Sequence, residues 1–409
     1  MTNRLCRFCN AHLDVLFVDL GMSPPSNSFL TEAQVLTMER FYPLRVYVCA
    51  ECFLVQLEEF ESPSEIFSDY VYFSSYSTSW LRHSRMYVDR IVQELSLKSN
   101  SLVVELASND GYLLQYFQEY GVPVLGVEPA ANVALEAIKK GIPTEVAFFG
   151  AATARELRDR TGAADLIVAN NVLAHVPDIN DFVAGVRILL SDEGTATFEF
   201  PHLLQLIRYN QFDTIYHEHF SYLSLLAVLR IFKAHDLKVV HVEELTTHGG
   251  SLRVWAKLET ARQPPDESVT VMMRLEYAAD LAKLETYTAF AARAEATKRH
   301  LLKFLIEVRE SGKHIAAYGA AAKGTTLLNY CGIRTDFIDY VVDRNPHKQG
   351  KYLPGCHVPV YNTERISETR PDYLLILPWN LRAEIEDQMS EIRSWGGQFV
   401  VPIPTVEVF

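Results

Sequence analysis

The sequence has 409 residues, a length that predicts two to four domains rather than one. Its 38 Lys and Arg residues against 51 Asp and Glu residues give a formal net charge of −13, which disfavours a general role on nucleic acid or anionic membranes. A composition of 48% hydrophobic and 22% charged residues is typical of a globular protein. No run approaches the roughly 18 apolar residues of a membrane-spanning helix. The N-terminus lacks the apolar stretch of a signal peptide, so we expect a cytoplasmic protein.

Four of the cysteines form two CxxC pairs. Cys6 and Cys9 lie near the N-terminus, and Cys49 and Cys52 follow after an interval of 39 residues. In a reducing cytosol this spacing predicts a tetrahedral Zn²⁺ site with four thiolate ligands. Such a site has a structural role, because four thiolates leave no position open for water or substrate. Two disulfides or a redox pair are the alternative.

The chain divides by pattern into three parts. Short β-like runs around the cysteines predict a small zinc-binding domain over residues 1–70, stabilised by its metal. Strands then alternate with helices, which predicts a central doubly wound, Rossmann-like α/β domain over residues 71–285. After a helical stretch the alternation resumes and predicts a C-terminal Rossmann-like α/β domain over residues 286–409. A turn-rich segment, Pro24-Pro-Ser-Asn-Ser-Phe29, lies between the two cysteine pairs.

The first strand of the central domain ends in an acid and a tight loop, Val103-Val-Glu-Leu-Ala-Ser-Asn-Asp-Gly111. Glu105 and Gly111 resemble the E/D-x-G-x-x-x-G motif of S-adenosylmethionine-dependent methyltransferases, whereas Ala107 stands where the first glycine is usual. Glu128 closes the next strand, where a carboxylate accepts hydrogen bonds from ribose hydroxyls. Nicotinamide-binding domains share these paired acids, but Ser108-Asn109-Asp110 would occupy the place of their pyrophosphate. S-adenosylmethionine is therefore favoured.

Further residues near these strand ends are candidate cofactor contacts. Phe148 and Phe149 follow the third strand and are placed to cover an adenine ring, with core packing as the alternative. Asn170 and Asn171 end a buried strand, and ligands of open sheets bind at the carboxyl ends of strands. The complete set of predicted cofactor-binding residues is Glu105, Ala107, Asn109, Gly111, Glu128, Pro129, Phe148, Phe149, Asn170 and Asn171.

Four consecutive side chains that exchange protons or hydrogen bonds follow in the run Tyr216, His217, Glu218 and His219. A metal site is one alternative, but the HExxH spacing is absent and the two histidines share a face only on an extended strand. A polar turn with hydrogen-bonded histidines is the other alternative, chiefly for His217.

A late glycine-rich loop, Tyr318-Gly-Ala-Ala-Ala-Lys-Gly-Thr-Thr326, follows a strand and opens a helix. Its backbone N–H groups and Lys323 favour a phosphate, although the GK[ST] of a P-loop is missing and a structural turn is the alternative. Ser251 and Arg253 are further candidate ligand contacts. The predicted substrate-binding residues are thus Ser251, Arg253, Tyr318 and Lys323.

Taken together, these motifs resemble the three-domain S-adenosylmethionine-dependent deoxysugar C-methyltransferases over nearly the whole chain and in the family's order. They are the CxxC pairs, ELASNDGYLLQ, GVEPAANVA, ANNVLAHVPDINDF, EFPHLLQLI, FDTIYHEHFSYLSL, THGGSLRV and YGAAAKGTTLLN. The resemblance implies methylation of C-3′ in a nucleotide-linked 4-keto sugar. It also implies that His219 is the base, that Tyr70, His175, Tyr216 and Glu218 line the site, and that the diphosphate approaches the late glycine-rich loop.

The chemistry gives a separate reason for such a base. A neighbouring ketone lets the carbanion delocalise as an enolate, so an imidazole with a pKa near neutrality is adequate to remove the proton. We therefore expect a C-methyltransferase of branched-chain deoxysugar biosynthesis that uses S-adenosylmethionine and structural Zn²⁺. Its expected partner is a dTDP- or GDP-linked keto-deoxysugar, without nucleic acid or membrane, and the chain is expected to be a monomer. An NAD(P)-dependent oxidoreductase acting on a nucleotide sugar and a non-catalytic zinc scaffold are the alternatives.

Overall fold

The computed structural model describes residues 4–62 and 73–409. Its α-helices, numbered along the chain, are α1 Glu32–Val35, α2 Thr78–Glu94, α3 Leu114–Glu119, α4 Ala131–Lys139, α5 Ala151–Thr161, α6 Ile179–Leu189, α7 Leu203–Arg208, α8 Leu225–Ala234, α9 Glu267–Ala278, α10 Leu284–Thr288, α11 Phe290–Glu310, α12 Ala322–Cys331, α13 Arg365–Thr369 and α14 Arg382–Gln388. Within the two described ranges, no helix has the length and apolar character needed to span a bilayer.

The β-strands are numbered in the same way. They are β1 Val15–Ser23, β2 Tyr42–Val48, β3 Val55–Leu57, β4 Val103–Leu106, β5 Val124–Val127, β6 Thr144–Glu145, β7 Ala164–Asn170, β8 Leu190–Pro201, β9 Ser221–Tyr222, β10 Leu237–Leu245, β11 Ser251–Leu258, β12 Ile315–Tyr318, β13 Val341–Val342, β14 Val360–Tyr361, β15 Tyr373–Ile376, β16 Gln398–Val401 and β17 Glu407–Val408.

The described residues form two compact units, each built from separate stretches of chain. The first unit contains residues up to 13, then 49–202 and 220–282, and the second contains 14–48, 203–219 and 283–409. The predicted domain boundaries after residues 70 and 285 stay a prediction.

A seven-stranded sheet forms the centre of the first unit, in the order β10-β11-β8-β7-β4-β5-β6. The strands from β8 to β6 run parallel, and helices such as α3 to α6 connect them. Apolar strands such as Val103–Leu106 are buried along their whole length, as the centre of a parallel sheet requires. This arrangement confirms the predicted doubly wound α/β domain.

Two antiparallel strands, β11 and β10, extend that sheet beyond β8. Their register places Arg253 of β11 directly opposite Glu199 of β8. Beside the sheet, Tyr87 and Val88 of α2 belong to a hydrophobic cluster with Phe117. The added strands therefore bring a buried arginine to the carboxyl end of the parallel strands.

A six-stranded sheet in the order β14-β13-β12-β15-β16-β17 forms the second unit's α/β domain. It is parallel from β14 to β16, whereas β17 is antiparallel to β16. Gly319 turns the chain from β12 towards α12 with φ of 93°, and a Cβ there would lie 2.4 Å from Pro378 Cδ. Only glycine fits this turn. The second predicted Rossmann-like domain is therefore confirmed.

An antiparallel pair of strands, β1 and β2, also belongs to the second unit, with Val15 opposite Val48. Phe17 stacks on Phe290 of α11 at a centroid distance of 4.5 Å and meets the edge of Tyr287 at 6.2 Å. Residues between the two cysteine pairs are thus packed on the helices that precede β12.

Candidate functional site

Two similar turns carry the four cysteines in the first unit. The N–H of Cys6 donates to the carbonyl of Ala11 at 2.8 Å, and that of Cys49 donates to Leu54 at 3.0 Å. The residue after each second cysteine has a left-handed backbone, with φ of 60° at Asn10 and 61° at Phe53. The same local geometry therefore points both thiols of each pair in one direction.

The sulfur atoms fit a tetrahedral metal. The Sγ atoms of Cys6 and Cys52 lie 3.6 Å apart, those of Cys9 and Cys49 lie 3.5 Å apart, and all four fall within 4.8 Å of one another. Zinc–sulfur bonds of about 2.3 Å imply sulfur–sulfur distances of about 3.8 Å. All four residues are free thiols, and Gln56 Nε2 donates to Cys6 Sγ at 3.2 Å. The set suits structural Zn²⁺ rather than two disulfides.

The predicted cofactor loop alternates between ordinary and left-handed backbone. The φ angles are 51° at Ala107, 49° at Asn109 and 75° at Gly111. A Cβ at Gly111 would lie 2.2 Å from Ile142 Cδ1. Ala107 therefore adopts, at some strain, the conformation that the usual glycine adopts freely.

Acidic side chains surround this loop. Burial raises the pKa of Glu105 well above its usual range, against an opposing hydrogen bond with Tyr112. Asp110 is buried too, and Lys140 Nζ contacts its Oδ2 at 3.2 Å. A neighbouring cation favours the ionised form of a buried carboxyl, whereas a phosphate disfavours it. The ammonium and sulfonium groups of S-adenosylmethionine therefore suit these carboxyls better than a pyrophosphate does.

Glu128 ends β5 beside the same loop. Its Oε2 accepts from the N–H of Asn109 at 2.9 Å, and its Oε1 accepts from Ala130 at 2.8 Å, so the carboxylate spans Pro129. The pKa of Glu128 is raised, because the effect of burial outweighs the lowering by these two N–H groups. Each carboxylate oxygen has a second lone pair, which leaves acceptor capacity for the two hydroxyls of a ribose.

Orphaned polar atoms mark the neighbouring strand end. Both carboxamide atoms of Asn170 and the Oγ of Ser108 are buried and meet no hydrogen-bond partner among the described residues. Buried polar groups are ordinarily paired, so these atoms fit contacts with a bound ligand. Phe148 is 48% exposed, whereas Phe149 packs edge-on against Phe182 at 5.4 Å. Core packing therefore accounts for Phe149 but not for Phe148.

Asn171 and His175 follow β7. Asn171 has a left-handed backbone with φ of 55°, and its Nδ2 lies 3.3 Å from Nε2 of His248. His175 ends the 3₁₀ turn Leu173–His175 and is partly exposed. On the other side of the cofactor loop, the N–H of Ser74 donates to Asn109 Oδ1 at 2.9 Å. Tyr70 lies outside the described residues.

A buried ion pair at the end of β8 is a feature that sequence reasoning missed. Glu199 accepts from Arg253, from His83 at 2.8 Å and from Thr247 at 2.8 Å. Burial alone would raise the pKa of Glu199, but His83 and Arg253 outweigh it and lower that pKa to about 2. The sequence signal for this ion pair is a single acid, Glu199, between two phenylalanines of a strand that is otherwise without charge near its end. Arg253 is thus engaged within the protein, and its role as a substrate contact stays a prediction.

The other predicted substrate contacts are also engaged by neighbours within their own units. Ser251 Oγ donates to the carbonyl of Thr247 at 3.0 Å. Tyr318 Oη donates to Gln388 Oε1 at 2.9 Å. Lys323 Nζ donates to Asn380 Oδ1 at 2.7 Å and lies 4.5 Å above the ring of Trp379. Their substrate roles likewise stay predictions.

The run from Tyr216 to His219, which belongs to the second unit, forms a tight turn rather than an extended strand. The N–H of His219 donates to the carbonyl of Tyr216 at 2.9 Å, and the two rings lie 4.0 Å apart between centroids. Just before the turn, the carbonyl of Ile215 accepts from Thr326 Oγ1 of α12 at 2.9 Å. The α/β domain of the second unit therefore fixes the start of the turn.

The two histidines of the turn have different environments. His217 Nε2 lies 3.3 Å from the carbonyl of Pro43, and burial lowers the pKa of His217 to about 4. His219 Nδ1 lies 3.1 Å from the carbonyl of Thr214. Because a carbonyl only accepts, Nδ1 of His219 carries the proton and Nε2 holds the lone pair. The acid between them, Glu218, accepts from Asn27 Nδ2 at 2.7 Å.

Comparison with known proteins agrees with this organisation. Three family models match: a zinc binding domain over residues 6–67, a methyltransferase domain over 80–242, and a C-methyltransferase C-terminal domain over 246–404. The C-methyltransferase NovU of Streptomyces niveus is 38% identical over 404 residues, which cover 98% of this chain and 96% of that protein.

Solved structures match over about half of the chain. The PH0226 protein of Pyrococcus horikoshii is 15% identical with a TM-score of 0.39, covering 49% of this chain and 99% of that one. Magnesium protoporphyrin IX methyltransferase from Synechocystis, with bound S-adenosylmethionine, is 15% identical with a TM-score of 0.33, covering 47% of this chain and 88% of that one.

The full-length match to NovU and the family models in chain order accord with the four-cysteine cluster and the doubly wound sheet. The predicted resemblance and cofactors are therefore confirmed: S-adenosylmethionine is the methyl donor, and zinc is the structural metal. The chain belongs to the C-methyltransferase family and is an S-adenosylmethionine-dependent C-methyltransferase.

Proposed function

We propose that this enzyme methylates C-3′ of a nucleotide-linked 4-keto-deoxysugar in the formation of a branched-chain deoxysugar. His219 Nε2 takes the C-3′ proton, and the electron pair of that C–H bond delocalises into the neighbouring ketone as an enolate. The enolate carbon then bonds to the methyl group that S-adenosylmethionine supplies, and the carbon–sulfur electron pair leaves with the sulfur. The reaction needs no redox partner.

The observation that carries this proposal is the orientation of His219. Its Nδ1 faces the carbonyl of Thr214, which holds the imidazole in the tautomer with a basic Nε2. Proton abstraction next to a ketone is the step that such a base suits. His217 is a poor alternative, since its ring is bound to Pro43 and its pKa is lowered to about 4.

Other residues are proposed to support this reaction. Tyr216, Glu218, His175 and Tyr70 line the substrate site and supply hydrogen bonds to the sugar or to the developing oxyanion. On the cofactor side, Glu128 is proposed to hold the ribose hydroxyls. Glu105, Asn109, Asn170 and Asn171 are proposed for the methionine end, with Ala107, Gly111, Pro129 and Phe148 in backbone or ring contacts. The sugar's diphosphate is proposed to approach the loop of Tyr318 and Lys323.

The test compares His219→Asn with His217→Asn. Substrates are dTDP- and GDP-linked 4-keto-6-deoxysugars, incubated with S-adenosylmethionine and read by mass for a gain of one methyl group. In a parallel reaction without S-adenosylmethionine, deuterium from solvent reports exchange at C-3′. We expect His219→Asn to lose methyl transfer by at least about 100-fold and to lose exchange, because the variant lacks the proposed base.

His217→Asn is the matched control in the same turn, and we expect it to keep both reactions while its folding stability falls. Calorimetric binding of S-adenosylmethionine should be unchanged in both variants. Near wild-type exchange in His219→Asn would remove His219 as the base. Absence of product over the whole sugar panel with the wild-type enzyme would remove the proposed substrate class.

A further inference from the structure

The turn-rich segment near Pro24 contacts a distant part of the second unit, which its sequence does not predict. The N–H of Ser28 donates to the carbonyl of Pro25 at 3.1 Å, which closes a turn with Ser26 and Asn27 at its centre. Ser26 is buried and Asn27 is half-buried. The Nδ2 of Asn27 reaches Glu218 Oε1 at 2.7 Å, across 191 residues of sequence.

Several contacts fix this turn to the C-terminal α/β domain of the same unit. Leu30 and Tyr352 exchange backbone hydrogen bonds of 3.0 and 2.8 Å. Gly355 approaches so closely that a Cβ there would lie 2.9 Å from Pro24 Cγ. Farther along, the N–H of Gly355 donates to Glu39 at 2.9 Å. The backbone is therefore fixed before Asn27, at Pro24, and after it, at Leu30.

Glu218 depends on such a donor. It is only 5% exposed, and a buried carboxylate is costly unless hydrogen bonds satisfy it. A hydrogen bond to a charged acceptor is shorter and stronger than one between neutral groups. The amide of Asn27 therefore fixes one oxygen of Glu218 and sets the direction in which the other oxygen points.

We infer that Asn27 is a positioning residue for Glu218. Asn27 acts through Glu218 and not on the substrate. This inference rests on the proposed placement of Glu218 in the substrate site. It extends the residues that support the reaction to one that lies between the two zinc-binding cysteine pairs.

The test is a double-mutant cycle with Asn27→Ala, Glu218→Gln and the combined variant, assayed for methyl transfer to dTDP-4-keto-6-deoxyglucose. Should that sugar not be turned over, the substrate from the panel that is methylated replaces it. Loss of a hydrogen bond to a charged group predicts that Asn27→Ala lowers kcat about 10- to 100-fold. In the Glu218→Gln background the same change should lower kcat by less than about twofold, because the partner's charge is already gone. Ser28→Ala, in an exposed position of the same turn, is the matched control and should keep wild-type kcat.

A second pair of variants guards against loss of folding. Asn27→Asp is nearly isosteric but places a carboxylate against Glu218, so it should lower both kcat and the melting temperature. Combining it with Glu218→Gln exchanges donor and acceptor. The melting temperature should then recover, whereas kcat should stay low because the Glu218 carboxylate is missing.

The outcomes distinguish an error in the proposed role of Glu218 from an error in the inferred role of Asn27. Wild-type kcat in Glu218→Gln would contradict the proposed role of Glu218. A low kcat in Glu218→Gln together with wild-type kcat in Asn27→Ala would overturn only the inference about Asn27. Equal losses from Asn27→Ala in both backgrounds would also overturn it, since Asn27 would then act independently of Glu218.

Discussion

At the level of single residues, burial changes the protonation of one carboxyl in the second unit, that of Asp213. Asp213 is fully buried, and burial raises its pKa from the ordinary 3.8 to about 6, against the opposing effects of Lys323 and of a hydrogen bond from Trp379 Nε1. It lies six residues before His219, in the 3₁₀ turn Phe212–Thr214. Asp213 is therefore a carboxyl that binds a proton more tightly in the folded state than in the unfolded state.

Asp213→Asn tests this carboxyl. Because the folded-state pKa is raised, the folded protein holds more protons between pH 4 and 6, and the contribution of Asp213 to stability is present below pH 4 and lost as the pH rises through 6. A rise in the pKa of Asp213 from 3.8 to about 6 corresponds to about 3 kcal/mol of free energy. We expect the free energy of unfolding of wild type minus that of Asp213→Asn to fall by about this amount between pH 4 and pH 7.

Urea unfolding at a series of pH values measures that difference, in which other titrating groups cancel. A flat difference would mean that the pKa of Asp213 is not raised in the folded protein.

Some of these residue environments follow from sequence and others do not. The four cysteines and Glu128 were predictable, because the spacing of a motif fixes their local geometry. Asn27 and Arg253 were not, since the partner of each lies far away in sequence and only the fold brings it close. Pairing over such distances leaves no periodic signal in one sequence.

At the level of elements, the geometry of the two cysteine turns depends on a bound metal. Within the first turn, Arg7 Nη1 donates to the carbonyl of Pro177 at 2.6 Å, and Asn180 Nδ2 donates to the carbonyl of Phe8 at 2.9 Å. The turn is therefore joined to the start of α6. Loss of the metal should loosen both the turn and this junction.

The zinc site is tested by removing the metal with a chelator and counting the cysteines that react with a thiol reagent. We expect four cysteines to become rapidly reactive towards a thiol reagent in the apoprotein, with a lower melting temperature. Cys331 and Cys356 serve as internal controls, because burial raises their pKa values to about 12 and about 11 and keeps little thiolate at neutral pH. Their reaction should be at least about tenfold slower. A thiol count that the chelator leaves unchanged would contradict a zinc site at these cysteines.

At the level of elements, the sequence predicted sheets better than connections. Strands such as Leu166–Val168 are fully apolar and were predictable as buried parallel strands. The turn from Tyr216 to His219 was only one of the alternatives, because a polar run without glycine or proline gives a weak turn signal. Glu276 in α9 is another example: it accepts from the N–H groups of Leu225 and Leu226 at 2.6 and 2.7 Å, a cap supplied from another helix.

On the scale of the whole molecule, the path of the chain decides which parts fold together. Residues 14–48 and 203–219 belong to the same unit as residues 283–409. The packing that holds them there includes Phe17 on Phe290 and Thr326 on Ile215. We therefore expect the C-terminal α/β domain to be required to order these two stretches, which precede it in sequence.

A chain that ends at residue 285 tests this dependence. Without residues 286–409 the buried Phe17 loses its stacking partner Phe290. Ile215, just before the turn from Tyr216 to His219, loses the hydrogen bond from Thr326. We expect the fragment to bind a hydrophobic dye and to be cleaved by protease within 14–48 and 203–219. A monodisperse fragment that resists cleavage there would show that these stretches fold without the late domain.

The interleaved path also constrains how such enzymes exchange parts during evolution. The stretch 203–219 contains His219 and packs with the C-terminal α/β domain, yet more than sixty residues separate them in the gene. A single recombination event near residue 283 would replace the C-terminal α/β domain with that of a related enzyme. Residues 14–48 and 203–219 would stay, although their side chains were selected to pack on the original domain. Changes in the C-terminal domain and changes around His219, the proposed base, are therefore expected to occur together, and functional chimeras should require exchange of all three stretches.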